Sequence, residues 1–381
     1  MTCFQSLFSY ELKKIFSNRP AVILMSLAAV LMLVLSSQRY IITSEKHHVP
    51  ETKISPESRM MDDAFFDLIR FHCGDNNENE PENPWFPAID YAKIVFRYDS
   101  TQSTESYDLW NADLFYKARE QGINENTENL YLTENEIRFW KEKEEFIAKP
   151  FIYQNTDAVR QIRKSYQFAL TLTCLLIGIF LSGSFSSECE KRTDELIRSG
   201  KYGQKQTLTA KLIAGLIVSL MIGCLMLVST HLPIFFFSDI NGFDAPWYLV
   251  EPFSSISMKA GQMCLFHTLI FLLGCILMGL FSMFLSLCFR KTTAAMGTVF
   301  AIVIFDLFIS VPAKMRIFSQ IRYLTPLSVL MNTHAQDMRL IKLFGKYLIT
   351  FQTGPILYAL CGVTLTVLIT LAFNQRFQQK E

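Results

Sequence analysis

Six apolar stretches dictate most of what this chain can become: 21–37, 168–185, 212–237, 260–289, 294–311 and 356–373. A helix needs about 20 apolar residues to cross a bilayer core. In hydrocarbon every backbone N–H and C=O must be satisfied inside the protein, which a single continuous stretch achieves only as a helix. The first stretch is a little short, and 212–237 and 260–289 are long enough to tilt. The expectation is an all-α membrane protein with six transmembrane helices. Half of the 381 residues are hydrophobic, 33 are Phe, and only 19% are charged, below the quarter usual for a soluble chain.

The polar residues are segregated. Positions 39–164 hold 24 Asp and Glu against 16 Lys and Arg, and the rest of the chain has the opposite excess. Three units follow: 1–37, an N-terminal helix with the first span; 38–165, an acidic domain; and 166–381, five spans with a charged hairpin at 186–211. Before the first span, Phe4, Leu7, Phe8, Leu12, Ile15 and Phe16 share one helical face. That is the pattern of an interfacial helix turning into the bilayer at Arg19-Pro20. The first apolar stretch is too long, and too much chain precedes it, for a cleaved signal peptide.

Lys13, Lys14 and Arg19 put the N-terminus in the cytoplasm. Six spans then put 38–165 outside, 186–211 inside and the C-terminal tail inside, in the cell membrane. The segment 312–355 runs against this rule, carrying Lys314, Arg316, Arg322, Arg339, Lys342 and Lys346 against Asp337 alone. It is amphipathic, and either lies in the outer interface or dips in as a re-entrant helix pair. The external domain reads as mostly helical, with helices over 57–71, 104–122 and 133–149, turns at 75–83 and 122–129, and a core from Trp85, Phe86, Trp110, Phe115 and Trp140. Thr133 and Glu136 match a capping box.

Enzymatic signatures are missing. No phosphate loop, HExxH or nucleophile elbow occurs, so no cofactor, no catalytic residue and no nucleic-acid partner is expected. His47, His48, His72 and Cys73 fit no closed zinc pattern. Cys73 is alone in the acidic domain, which excludes a disulfide within it. Two intramembrane polar residues stand out. Asp306 at depth costs about 2.5–3.5 kcal/mol and calls for a compensating partner, unless it is hydrated at the outer interface. His267 is expected to be neutral and hydrogen-bonded between helices.

Within 186–211, Ser187 and Glu190 have the spacing of a second capping box, Gly200 of a helix end, and Thr207 or Thr209 of a cap on the third span. The segment ECEKRTDELIRSGKYGQKQTLTAKLIAG, the N-terminal ELKKIFSNRP and the later RYLTPLSVLM resemble the corresponding parts of ABC-2-type permeases, the membrane subunits of ABC exporters. The resemblance implies a separate ATPase docking at Glu188, Glu190, Arg192, Asp194, Glu195, Arg198 and Tyr202. It also implies a homodimer or a heterodimer with a second permease, surrounded by lipid, and an amphipathic peptide, lipid or drug-like cargo. The residues alone leave two alternatives: a non-transporting receptor or sensor using the external domain, and a proton-coupled carrier using Asp306 and His267.

Overall fold

The computed structural model describes residues 3–44, 56–73, 85–97, 109–193, 203–237, 242–331, 338–343 and 345–378. His47, His48, the turn at 75–83, Gly200, and the docking candidates Asp194, Glu195, Arg198 and Tyr202 lie outside them. The chain opens with α1 (Cys3–Phe16) and α2 (Arg19–Ser44). Pro20 stands in the first turn of α2, where its missing N–H costs nothing. So α1 ends where the sequence places the turn into the bilayer.

The later helices of the bundle are α7 (Asp157–Leu181), α8 (Ser186–Glu190), α9 (Gly203–Phe237), α11 (Ala260–Cys288), α12 (Thr292–Phe308) and α15 (Thr350–Gln378). Five helices, α2, α7, α9, α11 and α15, are long and apolar enough to cross a membrane. α12 spans only 17 residues, about 25 Å at 1.5 Å per residue. The fifth expected span, 294–311, is thus a shorter helix, and the chain leaves it at Ile309, before the predicted 311. α11 is the central element, packing against α7, α9, α12 and α15. α7 starts among the polar residues at Asp157 and continues unbroken into the apolar run, as the sequence suggests.

Between α2 and α7 lies the polar domain: α3 (Asp63–Cys73), α4 (Phe86–Phe96), α5 (Ala112–Asn129) and α6 (Glu134–Glu145). Phe65, Phe66, Trp85, Trp110 and Phe115 form its core, joined by Ala245 and Leu249 from the segment after α9. Leu249 belongs to a short helix, α10 (Trp247–Val250). The expected turn at 122–129 is helical. Gly122 faces the Phe253 ring so closely that a Cβ would lie 2.5 Å from it, and α5 continues past this contact through its Asn-rich end. Trp140 belongs elsewhere: its indole N–H donates to the Met338 carbonyl.

The segment after α12 holds α13 (Arg316–Tyr323), α14 (Pro326–Met331) and a two-stranded antiparallel hairpin, β1 (Leu340–Leu343) with β2 (Lys346–Ile349). The fold is therefore mostly helical rather than all-α. Leu340 pairs with Ile349, and Gly345 turns the chain at φ +79°, a conformation that favours glycine. The apolar residues of 338–347 suit a helix as well as a strand, so the sequence reads this segment only as amphipathic and does not show the hairpin.

The basic character of this segment has a local reason. Arg316 reaches the polar domain, where its Nη2 lies 2.6 Å from Glu136 Oε1. Glu136 also receives the Thr133 N–H at 2.8 Å, as the capping box requires, and the Leu340 N–H at 3.3 Å. One carboxylate thus caps α6 and ties it to α13 and β1.

Candidate functional site

Two of the places where charge gathers in the otherwise apolar bundle lie toward opposite ends of α12. The first is at the α8 end. α7 stops at Leu181 and the chain loosens over 182–185 before α8. Ser286 on α11 accepts the freed N–H groups of Phe185 and Ser186, each at 3.0 Å. Glu190 then reaches α12, accepting from the Thr292 N–H at 3.0 Å and the Thr292 hydroxyl at 3.1 Å. It therefore caps the N-terminus of α12 rather than closing a box with Ser187. The Ser187 hydroxyl donates backward to the Gly183 carbonyl at 2.5 Å, because the helical path is already under way there. The Thr209 hydroxyl is likewise interior to α9, donating to Lys205 and Gln206 carbonyls at 3.0 Å. α9 starts at Gly203, more than a turn before the predicted caps.

Beside this joint sits a group of four charges, Lys211 and Glu11 buried and Lys14 and Glu188 half-buried. Lys211 on α9 is 2% exposed. It pairs with Glu188 of α8 and with Glu11 of α1 at 3.2 Å, and donates to the Ser184 carbonyl at 2.9 Å. Lys14 of α1 lies 2.8 Å from Glu188 and 3.9 Å from Glu11. Two cations and two anions balance, which is the condition for keeping charges out of water. Burial opposes the Lys14 ammonium, but Glu188 and Glu11 outweigh it and hold its pKa above the ordinary lysine range. The arrangement binds α1, α8 and α9 into one piece. Glu188 is consumed by it, Glu190 by α12, and Arg192 stands exposed just beyond.

The second place is at the other end of α12. A cavity of about 560 Å³ lies among α7, α11, α12, α14 and α15. Its lining is apolar apart from Asp306, Thr325, Thr364 and two cysteines. Asp306 has the partner its depth demands: Arg322 of α13, Nη1 to Oδ1 at 3.4 Å. Arg322 also donates to the carbonyls of Asp306 and Ile309. The Thr325 hydroxyl stands 3.3 and 3.2 Å from the two Asp306 carboxylate oxygens.

His267 is elsewhere, buried on α11 between the rings of Tyr166 and Trp247 at 5.9 and 5.6 Å. Its Nδ1 has no hydrogen-bond partner among the described residues, unlike the inter-helix bond expected. The inter-helix bond belongs to a different histidine: His231 Nε2 meets the Tyr166 hydroxyl at 3.2 Å. Asp306 and His267 are not brought together. Among the described residues no group of His, Cys, Asp and Glu is placed to hold a metal.

Sequence reasoning missed Glu11, Lys14 and Lys211 as one unit, since their partners are far apart along the chain. Arg322 and Thr325 lie 16 and 19 residues beyond Asp306, behind Ser310, Lys314, Arg316, Ser319 and Gln320, so no local signal singles them out as its partners. Compared with protein-family models, residues 7–381 match the one described as ABC-2 family transporter protein. No curated protein and no solved structure matches the chain.

Proposed function

The chain belongs to the ABC-2 transporter family, and from that premise we propose that it is the permease subunit of an ATP-driven exporter. Such permeases work with an ATPase subunit. On this reading, ATP is hydrolysed by a separate chain that docks at the α8 end, where 186–211 leaves the bundle. The supporting observation is the four-charge group: because Glu11, Lys14, Glu188 and Lys211 join α1, α8 and α9, a push delivered to the hairpin reaches two bundle helices and α1 at once. α12 follows through Glu190.

The proposal extends to a dimer of permeases in the cell membrane. Both termini and the hairpin are inside, the polar domain is outside, and the cargo is amphipathic. Contacts with the ATPase fall to Arg192, Asp194, Glu195, Arg198 and Tyr202, since Glu188 and Glu190 are engaged within the bundle. Exposed charges contribute about 0.2–1 kcal/mol each, so single changes are expected to be mild. Reversing Asp194 and Glu195 together to Lys adds repulsion. The expected outcome is a chain that inserts normally and no longer co-purifies with an ATPase. Retention of the ATPase at the wild-type level would remove this hairpin as the docking element.

A further inference from the structure

We propose that the cavity beside Asp306 is a binding site for an amphiphile with a single cationic head, an alkylammonium held head-first against the Asp306 carboxylate. As the cargo class this rests on the permease reading; as a binding site it stands on the geometry alone.

The orientation of the ion pair carries the argument. Asp306 and Thr325 line the cavity and Arg322 does not. The guanidinium is turned away, occupied by the carbonyls of Asp306 and Ile309 and by the Thr325 hydroxyl. The cavity therefore faces the negative end of a fixed pair. A carboxylate carries its charge on two oxygens that can be approached from more than one side, so an ammonium, quaternary ones included, can approach Asp306 by charge attraction from the cavity side while Arg322 stays in place. An anionic head would meet the carboxylate with like charge, and a neutral head would gain little.

Depth fits the same ligand. Asp306 lies two residues from Phe308, the end of α12. An amphiphile with its head there carries its tail along the apolar wall of Leu277, Met278 and Phe281 on α11. The mouth is lateral. Ile302 and Phe305 on α12 are 42% and 65% exposed, and Thr364 faces them from α15. A molecule dissolved in the bilayer reaches the cavity sideways without crossing water. Phe305, next to Asp306 in the lining, adds an aromatic ring near the head.

The test uses the purified full chain in phosphatidylcholine nanodiscs, without any ATPase. The probe is a dodecyltrimethylammonium with a diazirine in its chain, and labelled residues are mapped by mass spectrometry. Labelling is expected at cavity residues such as Leu277, Phe305 and Thr364, and unmodified dodecyltrimethylammonium should compete it away. Asp306→Asn should cut it about tenfold, and Thr364→Trp, which fills the mouth, should abolish it. Probes of the same chain with a sulfate or hydroxyl head should label these residues at least tenfold less in the wild type. Equal labelling by the three heads, undiminished labelling of Asp306→Asn, or no cavity labelling at all would each overturn the proposal. The head-group comparison needs no variant, so a poorly folding Asp306→Asn does not shield it. Failure here leaves ATPase docking untouched, and loss of ATPase docking leaves this binding measurement untouched.

Discussion

Lys211 and Glu136 are each a single side chain on which several elements depend, but they fail differently. Replacing Lys211 with Met keeps the bulk and leaves Glu11 and Glu188 with only Lys14 between them. Breaking a buried pair costs about 3–5 kcal/mol, so thermal unfolding in detergent should fall sharply and α1 should become sensitive to protease. Glu136 responds to pH. Burial disfavours its charge, but the hydrogen bond from Arg316 and those from Thr133 win and lower its pKa. Glu144, half-buried beside Arg119 and Lys149, is lowered too: burial disfavours its charge, and the two cations outweigh that. A depressed folded-state value means that this stabilisation is complete above the usual glutamate range and is lost as the pH falls through the lower, folded values. Acid should therefore loosen the polar domain from α13 and β1. Glu136→Gln should weaken that contact at neutral pH and flatten its acid dependence, read as protease sensitivity of the 332–349 region against pH.

Among the elements, those bounded by strong local signals were legible: the break at Arg19-Pro20, the capped start of α6, the continuous α7 and the long apolar helices. Elements set by distant partners were not. Nothing near Asn124 or Asn126 announces that Phe253 packs on Gly122, and nothing near Ser187 tells that Glu190 faces Thr292 across 102 residues. The β hairpin was hidden because Leu340–Ile349 suits either period. Of the candidate sites, Asp306 was legible as an unpaired charge in an apolar run, whereas the four-charge group was not, because each member reads locally as an ordinary surface charge. One connection makes a sharp test. Gly242 has φ +93°, and a Cβ there would lie 2.2 Å from the Asn155 carbonyl. Gly242→Ala combines a strained conformation with a backbone clash at the start of α7. It should cost at least about 2 kcal/mol, measured as a lower Tm, while Gly297→Ala, which meets nothing within 4 Å, should be silent.

At the scale of the whole molecule, orientation is the property that charge decides. The Lys and Arg of 186–211 should hold that hairpin inside. A Cys at the exposed Phe146 should react with a membrane-impermeant maleimide on intact cells, and a Cys at Ser199 only after permeabilisation. The reverse pattern would invert the protein and with it the side of ATPase docking. The polar domain is contiguous in sequence, yet its core includes Ala245 and Leu249, and Arg119 donates to the carbonyls of Pro252 and Ser254. Those residues are synthesised about a hundred positions after the domain's own last helix, beyond two further apolar helices. At roughly 5–20 residues per second, the domain waits some 5–20 s for the pieces that complete it, and longer for Arg316. During that interval its aromatic core is open on one side, and the domain stays unfinished until the segment after α9 arrives to close it.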